Sequence, residues 1–147
     1  MSDKAILLVE DNQDDIDLTI RALKHNNITN EVVVLNDGED ALEYLFHEGK
    51  YSELEPGNMP AVVLLDIKLP KLNGLEVLKK LRSNERTKVV PVVILTSSQE
   101  ESDVLNGYNL GCNSYVRKPV DFEQFSEAVR QLGLYWLLLN EPPKTKD

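Results

Sequence analysis

A chain of 147 residues with 25 acidic and 16 basic side chains carries a formal net charge of −9. That length supports one domain with a core of its own, and that charge argues against general affinity for nucleic acid or an anionic membrane. A single cysteine allows no internal disulfide, no charged-then-apolar leader precedes the first apolar run, and no apolar stretch approaches the roughly 20 residues that cross a bilayer, so a cytoplasmic protein is expected.

Ala5-Ile-Leu-Leu-Val9 is a short unbroken apolar run, the pattern of a strand buried on both faces. Glu10-Asp11 ends it, and Asn12 suits the N-cap of a helix marked by Ile16, Ile20 and Leu23. Taken alone, Glu10 and Asp11 read as helix-start acids. Glu31-Val-Val-Val-Leu35 is a second strand, broken by Asn36-Asp37-Gly38, where Asp37 caps a helix with Ala41, Leu42 and Leu45. Gly49 to Pro60 reads as a surface loop, longer than a usual connection and therefore an insertion or a partner-contact segment. Ala61-Val-Val-Leu-Leu-Asp66 is the third strand, and Asn73-Gly74 opens a helix with Val77, Leu78 and Leu81 on one face. The fourth strand starts near Pro91, since proline is tolerated at a strand's start but not its middle, and ends in Thr96-Ser97-Ser98. Ser98-Gln-Glu-Glu101 is a capping-box pattern for a helix carrying Val104, Leu105 and Tyr108 and stopped by Gly111. Asn113-Ser-Tyr-Val116 is a short fifth strand ended by Arg117-Lys118-Pro119, and Asp121-Phe-Glu-Gln124 opens a last helix with Phe122, Phe125, Val129 and Leu132. Five strands alternating with five helices predict an α/β fold, a parallel sheet covered on both faces.

Four of the five strands end in polar groups: Glu10 and Asp11, Asp66, Thr96, and Lys118. In a parallel sheet all carboxyl ends share one rim, the edge where open α/β sheets bind ligands. Three clustered carboxylates repel, and protonation or a divalent cation relieves them. An all-oxygen donor set suits Mg²⁺, while no His/Cys cluster or EF-hand loop favours zinc or calcium. A hydroxyl from Thr96 and an ammonium from Lys118 at the same rim complete a clamp for a phosphoryl group, with a carboxylate as the nucleophile. No glycine-rich nucleotide loop and no Ser/His/Asp or Cys/His triad offers a competing chemistry.

Val9-Glu10-Asp11-Asn12, Asp66-Ile-Lys-Leu-Pro70-Lys-Leu-Asn-Gly74, Leu95-Thr96-Ser97 and Lys118-Pro119 together resemble the receiver domain of bacterial two-component response regulators, in order and over nearly the whole chain. The resemblance implies a doubly wound, flavodoxin-like three-layer sandwich whose five parallel strands run in the order 2-1-3-4-5. It implies Asp66 as phospho-acceptor, Asp11 as a direct Mg²⁺ ligand, Glu10 as the neighbouring acid acting largely through water, and the backbone carbonyl of Lys68 as a third protein ligand. Thr96 and Lys118 match the phosphate-contacting pair, Tyr115 the switch aromatic, and the Lys118–Pro119 bond one that is cis in the family. The implied function is phosphoryl transfer from a sensor histidine kinase to Asp66. Thr96 then follows the phosphate and Tyr115 turns inward. The surface of the fourth helix, fifth strand and fifth helix changes its partner affinity as a result. Such a chain catalyses only its own phosphorylation and dephosphorylation.

Glu10 stands where the family more often has Asp, and Lys68 occupies a variable position that tunes dephosphorylation. A haloacid-dehalogenase-type phosphatase would share the carboxylate, Mg²⁺, Thr and Lys, but it needs a general acid where this chain has Lys68. A phosphorylation-independent interaction module would have no use for the full set of site residues. No DNA-binding domain follows, so the expectation is a single receiver domain over 1–147, with a core at about 4–132 and an extended C-terminal helix and tail at about 133–147. Leu132-Gly-Leu-Tyr-Trp-Leu-Leu-Leu139 is apolar almost all round if helical, more than a surface helix needs, and points to a homodimer contact or docking face. With the Gly49–Pro60 insertion it resembles the phytochrome-associated single-domain regulators of cyanobacteria, which implies a phytochrome as sensor. His25 and His47 lie on polar helical backgrounds and read as surface residues, and Cys112 as a small buried or half-buried one.

Overall fold

Each short apolar run becomes a strand. β1 (Ile6–Val9) lies between β2 (Val32–Leu35) and β3 (Val62–Leu65), followed outward by β4 (Val92–Thr96) and β5 (Ser114–Arg117). All pairings are parallel, and the order is β2-β1-β3-β4-β5, as the resemblance implied. The computed structural model describes residues 4–53, 59–96, 106–112, 114–117, 123, 126–127 and 130–131, with backbone alone at Thr96 and Ser114–Arg117.

Alternation along the strands divides the core in two. Leu7, Val9, Val63, Leu65, Val92 and Ile94 pack with Ala41, Leu45, Val77, Leu78 and Leu81 of the helices α2 (Gly38–Phe46) and α3 (Gly74–Arg82). Ile6, Leu8, Val62, Leu64, Val93 and Leu95 pack on the other face with Ile16, Ala22 and Leu23 of α1 (Gln13–His25). The two N-caps expected from sequence form, and Asn73, where a helix was expected to open, caps a third. The side chain of Asn12 accepts from the Asp15 N–H, Asp37 from that of Asp40, and Asn73 from that of Leu75. At the far end of α1, Asn26 Nδ2 donates to the carbonyl and hydroxyl oxygens of Ser126, tying this helix to a segment 100 residues on.

Four expectations need correction. The segment after Gly49 is not simply a surface loop, because Gly49–Tyr51 forms a single 3-10 turn and Met59 and Pro60 are buried. Tyr51 meets Tyr44 edge-on with centroids 5.2 Å apart and donates its hydroxyl to Asp40, which holds the turn on α2. Tyr108, expected on an apolar face, is 52% exposed. His47 is half-buried rather than a surface residue: it ends α2 at φ 56°, and that left-handed bend folds its ring inward towards Arg86. The fifth strand runs one residue further than the pattern suggested, to Arg117. Helical backbone is present over 106–109 and at 123, 126–127 and 130–131. The capping box at 98–101, Val104 and Leu105, Lys118–Pro119, Phe122, Phe125, Val129 and everything from Leu132 onward lie outside the described residues. Among the described residues no helix is long and apolar enough to cross a membrane.

Candidate functional site

The register of the sheet builds the site. Val9 and Leu65 are paired, so Glu10 and Asp66 are the next residues at one edge of two adjacent strands. Backbone bonds carry the alignment past the strand ends: the Asp66 N–H donates to the Val9 carbonyl at 3.1 Å, and the Glu10 N–H to the Leu35 carbonyl at 2.9 Å. Asn36 Nδ2 fastens the Glu10 carbonyl at 3.0 Å, and the Asn12 N–H reaches Glu10 Oε2 at 3.3 Å. As a result Glu10 and Asp66 are 3% and 6% exposed, while Asp11 faces solvent. One carboxylate oxygen from each of Glu10, Asp11 and Asp66 lies within 4.8 Å of the other two.

The loop after Asp66 is built to hold that carboxylate still. The Lys68 N–H donates to Asp66 Oδ1 at 3.2 Å, and the Gly74 N–H to the Ile67 carbonyl at 2.8 Å. Lys71 takes φ 66°, the tight point of the turn, and its ammonium lies 3.7 Å from Asp37 at the start of α2. Pro70 supplies a carbonyl to the N–H groups of Leu72 and, at 3.4 Å, Gly38. Gly74 has to lack a side chain for reasons of space: a Cβ there would stand 2.0 Å from the Asp66 carbonyl oxygen. The first turn of α3 therefore rests directly on the backbone of Asp66.

Two buried carboxylates and an exposed third lie close enough to repel one another, and a cation held between them would offset that repulsion. The donors are all oxygen, the choice of hard divalent ions such as Mg²⁺, Mn²⁺ or Ca²⁺. The 4.8 Å spread lets one ion touch two or three of them with small adjustments and keep water on its remaining positions. Thr96 ends β4 in backbone register with Arg117 of β5. Its side chain, that of Tyr115 and the whole of Lys118 lie outside the described residues. The sequence pattern did not disclose the support from Gly74, since a glycine opening a helix reads as a turn residue and nothing local shows what it touches.

Residues 6–130 match the response regulator receiver domain family. The chain is similar to response regulator Rcp1 of Synechocystis sp., at 38% identity over 134 residues that span 91% of this chain and 89% of that protein. The structure of the Mn(2+)-bound form of Rcp1 superposes with a TM-score of 0.84 and 95% of this chain covered. The phosphorylated cyanobacterial phytochrome response regulator RcpA superposes with a TM-score of 0.87 at 37% identity, covering 97% of this chain and 99% of that one. The bacteriophytochrome response regulator RtBRR is 56% identical, with a TM-score of 0.78 over 95% of this chain and 84% of that one.

Proposed function

The chain belongs to the response regulator receiver domain family, the phosphorylation-activated component of two-component signalling, and from that premise we propose that Asp66 takes a phosphoryl group from a phytochrome-type sensor histidine kinase in the cytoplasm. The single observation that carries the choice of residue is the buried Asp66 carboxylate beside Glu10 and Asp11 at the rim of the central strands. The kinase type is supported by the likeness to two regulators described as phytochrome and bacteriophytochrome response regulators.

In the proposed step an Asp66 oxygen attacks phosphorus, the P–N bond of the kinase phosphohistidine breaks, and its imidazole leaves. Glu10, Asp11, Asp66 and the Lys68 carbonyl would hold Mg²⁺, which when bound offsets the charge of the carboxylates and of the incoming group. The Lys68 N–H bond to Oδ1 fixes the carboxylate plane before attack. Lys118 neutralises the phosphoryl oxygens and Thr96 donates to one of them, after which Tyr115 turns inward and the face of the fourth helix, β5 and fifth helix changes its affinity for partners. The same face, with the segment 132–139, pairs two copies of the chain. Position 68, where a phosphatase acting on esters would carry its general acid, is Lys68, so the chain turns over its own phosphoryl group and no other substrate.

The test is to incubate the protein with Mg²⁺ and either acetyl phosphate or a phosphorylated phytochrome kinase, and weigh it. One added phosphoryl group, absent in Asp66→Asn, is expected. Steady hydrolysis of a chromogenic phosphate ester, or phosphoryl uptake by Asp66→Asn, would overturn the proposal. Light scattering on the eluting protein tests the pairing, and a monomer at high micromolar concentration would contradict it.

A further inference from the structure

Arg82 is the last residue of α3, and its guanidinium does more than close a helix. Nε donates to the Gly111 carbonyl at 2.8 Å, and one terminal nitrogen donates to the carbonyls of Val90 and Lys88 at 2.7 and 3.0 Å. These acceptors belong to two separate connections: the turn that leads into β4 and the turn that leads into β5. The group is half-buried, and burial lowers its pKa while the adjacent Cys112 thiol opposes that shift. A charged, planar fork of donors satisfied by carbonyls is a fixed joint, one that a lysine point charge cannot reproduce.

What the joint fixes is an edge strand beside the site. β5 has four residues and, among the described residues, a neighbour on one side only, β4. Its lead-in turns sharply at Gly111, with φ 97°, where the Gly111 N–H bonds the Tyr108 carbonyl and the Cys112 N–H the Gly107 carbonyl. The space beside Gly111 is filled by Arg82: a Cβ there would stand 3.1 Å from Arg82 Nε. At its other end β5 runs through Tyr115 to Arg117, and Lys118 is the next residue. The opposite end of α3 rests through Gly74 on the Asp66 carbonyl. One nine-residue helix, about 13 Å long, therefore touches the acceptor loop at its start and the beginning of β5 at its end.

We propose that Arg82 is a positioning residue: by holding the Gly111 carbonyl it sets where β5 begins, and thereby where that strand delivers Tyr115 and Lys118 to the site around Asp66. The part that concerns phosphoryl transfer rests on the function proposed above.

The experiment compares wild type with Arg82→Lys and Arg82→Gln, and with Gly111→Ala, which disturbs the joint from the other side without altering α3. Amide exchange is read strand by strand, and phosphoryl uptake from acetyl phosphate is timed well below the melting temperature. Exchange in Ser114–Arg117 is expected to rise at least about tenfold relative to β1 and β3, as for a locally released unit. Uptake is expected to slow on the order of tenfold, the scale of loss when a catalytic group is misplaced, with Arg82→Lys less affected than Arg82→Gln. Mg²⁺ affinity is expected to stay within about twofold, since its carboxylates follow the ends of β1 and β3. An even rise of exchange across all five strands, or uptake at the native rate in the folded variants, would overturn the proposal. If the wild type takes up no phosphoryl group, it is the functional premise that falls, and the exchange pattern still decides whether Arg82 anchors β5.

Discussion

Replacing Gly74 by alanine sets two physical effects against each other. Helix propensity favours the change by about 0.5–1 kcal/mol, because alanine loses less backbone freedom on folding. The new Cβ would lie 2.0 Å from the Asp66 carbonyl oxygen and 2.8 Å from Ile67 Cα. Comfortable non-bonded separation is roughly 3.5 Å, so about 1.5 Å of movement has to come from the loop after Asp66 or from α3. Overpacking of this kind costs about 1–3 kcal/mol, and here the obstructing atoms are backbone tied to β1 through the Asp66 N–H. Such backbone atoms cannot swing aside, so the cost falls at the upper end of that range, and after the propensity gain a net loss of about 2 kcal/mol is expected. For a domain of this size that is a melting-point drop of roughly 4–8 °C. The same movement carries the Asp66 carboxylate away from Glu10 and Asp11, and a shift of about 1 Å lowers phosphoryl uptake by up to about a hundredfold. Urea melts followed by circular dichroism give the first number, and acetyl phosphate uptake at low temperature gives the second. A Gly74→Ala protein as stable as wild type and phosphorylated at the same rate would refute the idea that α3 fixes the position of Asp66.

Three further outcomes are expected. Asp11→Asn should weaken Mg²⁺ binding by at least roughly tenfold in a calorimetric titration, since even residues one shell removed from a metal cost that much; unchanged affinity would remove Asp11 from the ligand set. Burial, and then the Arg86 charge, hold His47 below its ordinary value, so the unfolded chain takes up this proton first as the pH falls. Its contribution to stability is complete above about pH 6.5 and is lost as the pH falls through the depressed native value. His47→Asn, which tolerates the left-handed backbone, should flatten the stability–pH curve there, and an identical slope would contradict the assignment. Asn12→Ala removes the acceptor for the Asp15 N–H and should lower the urea midpoint by the equivalent of about 1 kcal/mol with an unchanged slope; an unmoved midpoint would show that water replaces the cap.

Local chemistry was legible where a residue's role depends on its sequence neighbours. Asn12 and Asp37 read as caps and form them, because an N-cap needs only its own side chain and the N–H groups two or three residues on. The shared rim of Glu10, Asp11 and Asp66 was legible for a different reason: apolar runs ending in acids, in a parallel sheet, have no other place to put them. What escaped were contacts between distant segments. Arg82 looks like an ordinary last-turn cation until the carbonyls of Val90 and Gly111 are seen beside it. His47 sits among polar residues and reads as solvated, yet the bend of its own backbone brings it to Arg86, 39 residues away. Tyr51 lies in a stretch of loop-like composition and is anchored by Tyr44 and Asp40 on a neighbouring helix. In each case composition describes the residue and topology supplies the partner.

The most direct test of Asp66 as the acceptor is chemical trapping. Protein treated with acetyl phosphate and Mg²⁺ is reduced with borohydride, which converts an aspartyl phosphate into homoserine, and the peptides are sequenced by mass spectrometry. Homoserine at position 66 and at no other acid is the expected result. Homoserine at position 11, or a phosphoryl group gained with position 66 still aspartate, would contradict it.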